Sequence, residues 1–376
     1  MDFLIDNECF YKAISDVNKA VSLKTPFPIL SGIKISAYHD SLVLIGSNSD
    51  IVIEKVIPLT LDGVKVLEVN KSGSVVIPAT HLSEIIKKLP AKVHLRVNDK
   101  QLVTIQSEEI VTKMFGFNSD EYPKLPQFDE TDYIKISSTE LIEIIKQTTF
   151  AVSKNESQPV LTGVKMLFKD NHLSFAATDS HRLALREIIV DSNINGSFIV
   201  PSTSLNELTK LINNDNSETR IYVNDNFMVF KASTFTLFSR LIEGNYPNIT
   251  GLLPKNSKTI ITLDTAQLLR GIDRACLFAG EWKNNNVQLE IIDGKKIKIS
   301  SNSSKIGGIE ETQNIRVING ETDLTISLDG SYLINALKVI KEEEIRLSFG
   351  GSMRPVLIEP INNPYYMHLI SPVRSY

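Results

Sequence analysis

Residues that carry chemistry are scarce in this sequence. Among 376 residues there are two cysteines, six histidines and one tryptophan. Two cysteines exclude a disulfide framework, and neither Cys9 nor Cys276 has a second ligand at metal-binding spacing. The histidines (His39, His81, His94, His172, His181 and His368) are scattered singly. Missing too are the Gly-x-Ser-x-Gly elbow, the Gly-x-x-x-x-Gly-Lys-Ser/Thr phosphate loop and the His-Glu-x-x-His zinc helix. Gly307-Gly308 and Gly350-Gly351 read as turns. No apolar run approaches the roughly 20 residues that cross a bilayer. The start, Met1-Asp2-Phe3-Leu4-Ile5-Asp6, lacks the basic region and apolar core of a secretory signal. These absences predict a cytoplasmic protein with no metal, no cofactor, no membrane partner and no catalytic residues. Positive charge is not in excess either: 40 Lys and Arg face 44 Asp and Glu, a formal net charge of −4 with pI ≈ 6.0. That balance excludes gripping nucleic acid with a coat of positive charge, so any contact with phosphates must be local or weak.

What the chain does have is repetition. Pro28-Ile29-Leu30-Ser31-Gly32-Ile33-Lys34 returns as Pro159-Val160-Leu161-Thr162-Gly163-Val164-Lys165, an offset of 131 positions from Leu30 to Leu161. The same offset carries Ala20-Val21-Ser22 onto Ala151-Val152-Ser153, and Ser47-Asn48-Ser49 onto Thr178-Asp179-Ser180. A fainter third copy follows at an offset of 123, taking Val164 to Val287 and Thr178-Asp179-Ser180 to Ser301-Asn302-Ser303; Asn284-Asn285-Asn286 stands where the Pro-x-Leu motif would fall. Self-similarity at this period sets the architecture before any single element does.

Each copy opens with apolar residues at helical spacing: Phe10, Ile14, Val17, Val21, then Leu141, Ile145, Thr148, Val152, then Leu268, Ile272, Ala275, Ala279. Strand-like runs such as Leu42–Ile45 and Ile51–Ile53 follow. A second helix is predicted behind a capping residue in each copy, Thr80, Thr203 and Ser331. Tyr122-Pro123 and Tyr246-Pro247 close the first two copies. The expectation is an α+β chain of three tandem domains, 1–125, 126–252 and 253–376, with helices on one side of antiparallel sheets. The predicted helices mix Lys12, Lys19, Lys87, Lys88, Lys146, Lys210, Arg270, Arg274 and Lys338 with Glu8, Asp16, Glu84, Glu143, Glu207 and Asp273. Charge alone therefore describes a solvated face. Thr178-Asp179-Ser180-His181-Arg182 sets the residue types of a nucleophilic triad side by side. On an extended strand neighbouring side chains point to opposite faces, so Ser180 and His181 are not expected to meet.

At Thr178-Asp179-Ser180-His181-Arg182-Leu183-Ala184 the chain resembles the bacterial DNA polymerase III β subunit, the sliding clamp, in its Gram-positive form. The likeness continues through Asp120-Glu121-Tyr122-Pro123, Phe238 to Pro247, Ser352-Met353-Arg354-Pro355-Val356 and Ser371-Pro372-Val373-Arg374. The resemblance implies a non-catalytic processivity factor: a head-to-tail homodimer whose six domains close a ring around duplex DNA without reading its sequence. It implies as partners a DNA polymerase III alpha-type subunit, a clamp loader and other proteins bearing Gln-x-x-Leu-Phe peptides. Carried over by position, the peptide pocket comprises Leu161, Thr178, Ser180, His181, Arg182, Leu183, Pro247, Leu252, Met353, Pro355, Leu369, Ser371, Pro372, Val373 and Arg374. DNA contacts fall to Lys24, Lys88, Lys154 and Arg274, and the dimer seam to Met114, Leu277 and Phe278. The chain departs from the family pattern at Gly251, where relatives have an arginine, at Pro159-Val160 in place of a Tyr-Tyr pair, and at Thr203 in place of a basic residue. The competing expectation is a protein-interaction scaffold that never encircles DNA.

Overall fold

The structure is a computed structural model that describes residues 1–22, 25–192, 194–212, 217–254, 256–279 and 286–373. Lys24, Asn284, Asn285 and Arg374 lie outside the described residues. Among the described residues six α-helices stand against antiparallel sheets: α1 (Asn7–Asn18), α2 (Ala79–Ile86), α3 (Ser138–Thr148), α4 (Ser202–Leu211), α5 (Thr265–Ala279) and α6 (Gly330–Val339). That is two helices per repeat, each pair alternating with strands. The start of α1 follows from its cap, since the Asp6 carboxylate accepts from the Cys9 N–H at 3.0 Å, worth about 1 kcal/mol. Three helix starts differ from the sequence expectation. α2 opens at Ala79 behind Pro78, with no side-chain cap, and α4 opens at Ser202. Thr80 and Thr203 thus sit inside the first turn. In α6 the cap is Asp329, which accepts from the Ser331 N–H at 2.8 Å.

Contacts divide the chain into two compact units. The first holds Met1–Thr139 with Asn206–Leu241, the second Glu140–Leu205 with Ile242–Tyr376. Each unit is organised by a long sheet that runs from one repeat into the next. In the first, Ile134–Ser137, Glu218–Val223, Phe227–Lys231 and Phe235–Arg240 of the second repeat join Ile51–Pro58, Ser41–Ser47, Gly32–Ala37 and Gly73–Pro78 of the first. In the second, Val317–Gly320, Thr259–Asp264, Glu344–Phe349, Val356–Pro360 and Tyr366–Ile370 join Arg182–Ile189, His172–Thr178, Gly163–Lys169 and Gly196–Pro201. Apart from Val317–Gly320 at one edge, the order is the same, so the offset read in the sequence is an offset between equivalent strands. The seam strands pair directly, Val52 with Phe238 in one unit and Leu183 with Leu369 in the other.

The second sheet of the first unit has the order Ile110–Phe115, Leu102–Ser107, Val93–Val97, Asp2–Ile5, Leu67–Lys71. α1 and α2 pack on each other and on the long sheet, with Phe3 and Phe10 edge to face at 5.9 Å. Gly46 permits this closeness, because a Cβ there would lie 2.1 Å from the Val17 carbonyl oxygen. In the second unit α5 packs on α6 and across a four-stranded sheet ordered Gly307–Asn314, Lys296–Ser303, Asn286–Ile292, Thr325–Asp329. Leu268, Ile272 and Ala275 of α5 join Leu333 and Leu337 of α6 in one buried core, matching the helical spacing of the sequence.

Candidate functional site

The residues flagged as a mock triad form a hairpin turn rather than an extended strand. Thr178 ends one strand and Arg182 begins the next. The Asp179 carboxylate accepts the N–H groups of His181 and Arg182, both at 3.0 Å, and Ser180 takes a left-handed φ of 77°. Thr178 Oγ1 donates to the Arg182 carbonyl at 2.6 Å and accepts from the Ser180 N–H at 3.2 Å. Asp179 is therefore engaged by the backbone of the turn and by the Arg182 side chain, not by the side chains of Ser180 or His181.

Arg182 is the polar centre of the region. Its Nε donates to Asp179 Oδ2 at 3.0 Å and its Nη2 to the Phe150 carbonyl at 2.7 Å. The guanidinium lies 4.3 Å from the Tyr332 ring centre and 5.5 Å from that of Phe150. Although 9% of its side chain is exposed, Nη1 finds no hydrogen-bond partner in the protein. It lines a cleft of 680 Å³ whose walls include Val152, Lys154, Leu161, Ser180, His181, Tyr332 and Asn335. The size suits a few residues of peptide.

Beside this turn lies an apolar floor. Leu183 pairs with Leu369, and Leu369 with Leu357, across three adjacent strands. Ala176, Leu183, Ile249 and Leu369 are buried together, and Leu185, Tyr246, Leu253 and Leu357 pack on them half-buried. The Tyr246 hydroxyl accepts from the Thr178 N–H at 3.2 Å and donates to the Gly163 carbonyl at 3.4 Å. That bond fixes the Tyr-Pro turn on the floor, and burial raises the phenol well above its ordinary pKa. Pro247 and Leu252 flank Ile249 and are exposed, as is Met353. Met353 and Pro355 immediately precede the strand that carries Leu357. The chain end crosses the site, the Ser371 N–H donating to the His181 carbonyl at 2.8 Å and the Val373 N–H to Ser327 at 2.9 Å. Sequence reasoning missed Ile249, Leu357, Asp179, Phe150 and Tyr332. A signal existed for Ile249, which stands three residues after Tyr246 as Leu125 does after Tyr122.

Beneath Arg182 is His368, buried, with Nε2 2.8 Å from the Tyr366 hydroxyl. Burial first, and the nearby Arg182 charge second, push its pKa down to about 3. The unfolded chain takes up this proton near pH 6.5 and the folded chain does not. Stability from this group is therefore complete above that pH and is lost as pH falls toward 3, by up to roughly 1.4 kcal/mol per pH unit. The His368→Gln variant is expected to show a shallower fall of urea midpoint between pH 6.5 and 4 than the wild type. Equal slopes would contradict this.

The residues expected at DNA and at the seam lie elsewhere. Lys88 follows α2 and sits 3.6 Å from Glu84. Arg274 of α5 grips Glu311 through Nε and Nη2 at 2.8 and 2.7 Å. Both are surface pairs, worth under about 1 kcal/mol each. Lys154 lines the peptide-sized cleft. Met114 is on the edge strand Ile110–Phe115, whose Ile110, Val111 and Phe115 are exposed. In the second unit Leu277 is 73% exposed near the end of α5, and Phe278 is half-buried. Gly307–Asn314 is an edge strand there, preceded by exposed Ile306. Among the described residues no group of three His, Cys, Asp or Glu is placed to hold a metal, and no helix is long and apolar enough to cross a membrane.

Repeated α+β domains, fused edge to edge by continuous antiparallel sheets and carrying an apolar groove beside a half-buried arginine, define a multidomain clamp. The N-terminal, central and C-terminal domains of the DNA polymerase III beta subunit match residues 1–126, 135–248 and 250–374. The beta sliding clamp of Bacillus subtilis is 42% identical over 379 residues, covering all of both chains. That of Staphylococcus aureus is 38% identical over 378 residues with the same coverage. The crystal structure of the Bacillus subtilis sliding clamp matches the whole chain at TM-score 0.97, and the beta chain of Streptococcus pneumoniae at 0.94 with 30% identity. The chain belongs to the bacterial DNA polymerase III beta subunit family, the beta sliding clamps. It is thus a non-catalytic processivity factor of DNA polymerase III built from three clamp domains, and membership implies DNA and a polymerase as partners.

Proposed function

We propose that two copies of this chain close head to tail into a ring around duplex DNA in the cytoplasm, with domains divided at 125/126 and 252/253. The observation that carries the ring is a pair of unpaired sheet edges, one of them apolar. Ile110–Phe115 ends one sheet and leaves Ile110, Val111 and Phe115 in water, while Gly307–Asn314, a polar strand preceded by exposed Ile306, ends another. Natural sheets do not leave such edges open unless something covers them. The first edge carries Lys113 and the second Glu310 and Glu311, so the two are opposite in charge. A contact between different surfaces that closes after two copies makes two identical junctions. Around DNA, Lys88, Arg274, Lys154 and Lys24 supply weak, sequence-independent contact, as sliding requires.

The groove at Arg182 and Leu183 receives Gln-x-x-Leu-Phe peptides of the replicative polymerase's alpha-type subunit, the ATP-driven loader and repair proteins. Leu183, Leu369 and Ile249 form a floor for two apolar anchors, while Arg182 Nη1 and the exposed backbone satisfy the peptide's polar groups. Pro247, Pro355, Ser371, Pro372 and Val373 complete the rim. Affinity near micromolar, about −8 kcal/mol, is expected. Changing exposed Leu252 and Met353 together to alanine is expected to weaken such a peptide ten- to a hundredfold with an unchanged melting temperature. Fluorescence anisotropy with a labelled peptide measures it, and unchanged affinity would place the pocket elsewhere.

A further inference from the structure

We propose that the first repeat junction carries a second pocket of the same design, already filled by the chain's own Phe128. This rests on the pocket reading given above. The two long sheets share one strand order, so positions can be matched by pairing. Val52 opposite Phe238 matches Leu183 opposite Leu369. One strand further on, Val229 opposite Phe238 matches Leu357 opposite Leu369. Tyr122 and Tyr246 open matching Tyr-Pro turns, and Leu125 and Ile249, three residues on, pack on the two floors. Each junction thus builds the same apolar bowl from its own strands.

Two differences decide which bowl is open. The residue opposite Val229 on the next strand is Tyr222, whereas the residue opposite Leu357 is Ser348. Three residues after Leu125 comes Phe128, whose ring lies 5.0 Å from that of Tyr222 and 5.6 Å from that of Phe238, edge-on to both. Three residues after Ile249 comes Leu252, which is 46% exposed. At the first junction an aromatic wall holds an aromatic plug, an arrangement favoured beyond simple burial. At the second, a serine replaces the wall and the equivalent side chain turns outward, leaving the floor for a visitor. Phe128 therefore occupies the place that a peptide's terminal aromatic anchor takes at the other junction. A cleft of 500 Å³ bordered by Val43, Ile45 and Leu125 adjoins the plugged site and offers room for the rest of a peptide.

Phe128 is half-buried in an irregular segment, so Phe128→Ala removes the plug without breaking a strand. The probe is the synthetic peptide acetyl-Gln-Ala-Ala-Leu-Phe, titrated by calorimetry into full-length wild type and Phe128→Ala. Methyl NMR of Leu125 and Val229 reports the first junction. We expect one peptide per wild-type chain with those methyls unmoved, and two per variant chain with both methyls shifted. One peptide per chain in both proteins with silent methyls would overturn the plug, as would two per wild-type chain. A wild type that binds none, beside a variant that binds one at Leu125 and Val229, would instead sink the open-pocket reading and support the plug. No binding to either protein would overturn both.

Discussion

Replacing Leu277 and Phe278 together by alanine is expected to convert the proposed dimer to monomer at low micromolar concentration. Leu277 is 73% exposed in the single chain, and neither residue belongs to the buried core that α5 shares with α6. The fold should therefore survive, since helix ends tolerate alanine. A fully buried large apolar side chain contributes about 1.5–3 kcal/mol. Losing one exposed and one half-buried residue removes on the order of 3 kcal/mol from each junction. A closed dimer has two junctions, so the dissociation constant should rise by roughly four orders of magnitude at about 1.4 kcal/mol per tenfold. Sedimentation velocity reads the result directly. A double variant that remains dimeric at low micromolar concentration would remove these residues from the seam.

The sequence made the repetition legible because an offset of 131 positions is visible without knowing any contact. It follows that Pro28–Ser31 and Pro159–Thr162 form the same short 3₁₀ turn, and that the helices of each repeat recur. The residues of the Arg182 turn and the Tyr-Pro turn were legible through family likeness to contiguous motifs. What escaped lies across strands. Leu357 joins the floor only because its strand pairs with that of Leu369. Tyr332 meets Arg182 only because α6 packs near the turn. Periodicity shows which face a residue takes but not which strand stands beside it.

Helix starts were misjudged for a local reason. Thr80 and Thr203 are residue types that cap, yet Pro78 and Pro201 end the preceding strands and the helices begin at once after them. Proline's fixed φ makes that switch without a capping hydroxyl. At Thr178–Arg182 the sequence predicts an extended strand and the structure has a turn. Asp179, Ser180 and His181 form a turn, and the carboxylate holds that turn and Arg182 together. The division into domains also shows why contacts and repeats differ: the long sheets stitch half of the second repeat to each neighbour.

Retention on DNA should be topological, and its loss on opening the DNA should be nearly complete. The chain has a net charge of −4, and Lys88 and Arg274 already lean on Glu84 and Glu311. Adhesion through a few phosphates would weaken steeply with salt, each contact adding roughly −0.9 to the logarithmic slope. A closed ring is indifferent to that slope while the DNA has no ends. Changing Lys24, Lys88 and Arg274 to alanine should accordingly impair loading more than retention on intact circles. The deciding measurement loads the protein onto circular duplex DNA with its loader and ATP, raises the salt to a moderate level, and cuts half the sample with a restriction enzyme before gel filtration. The ring predicts protein co-eluting with the circles and absent from the cut DNA. Equal retention on circles and on linear DNA with free ends would contradict it.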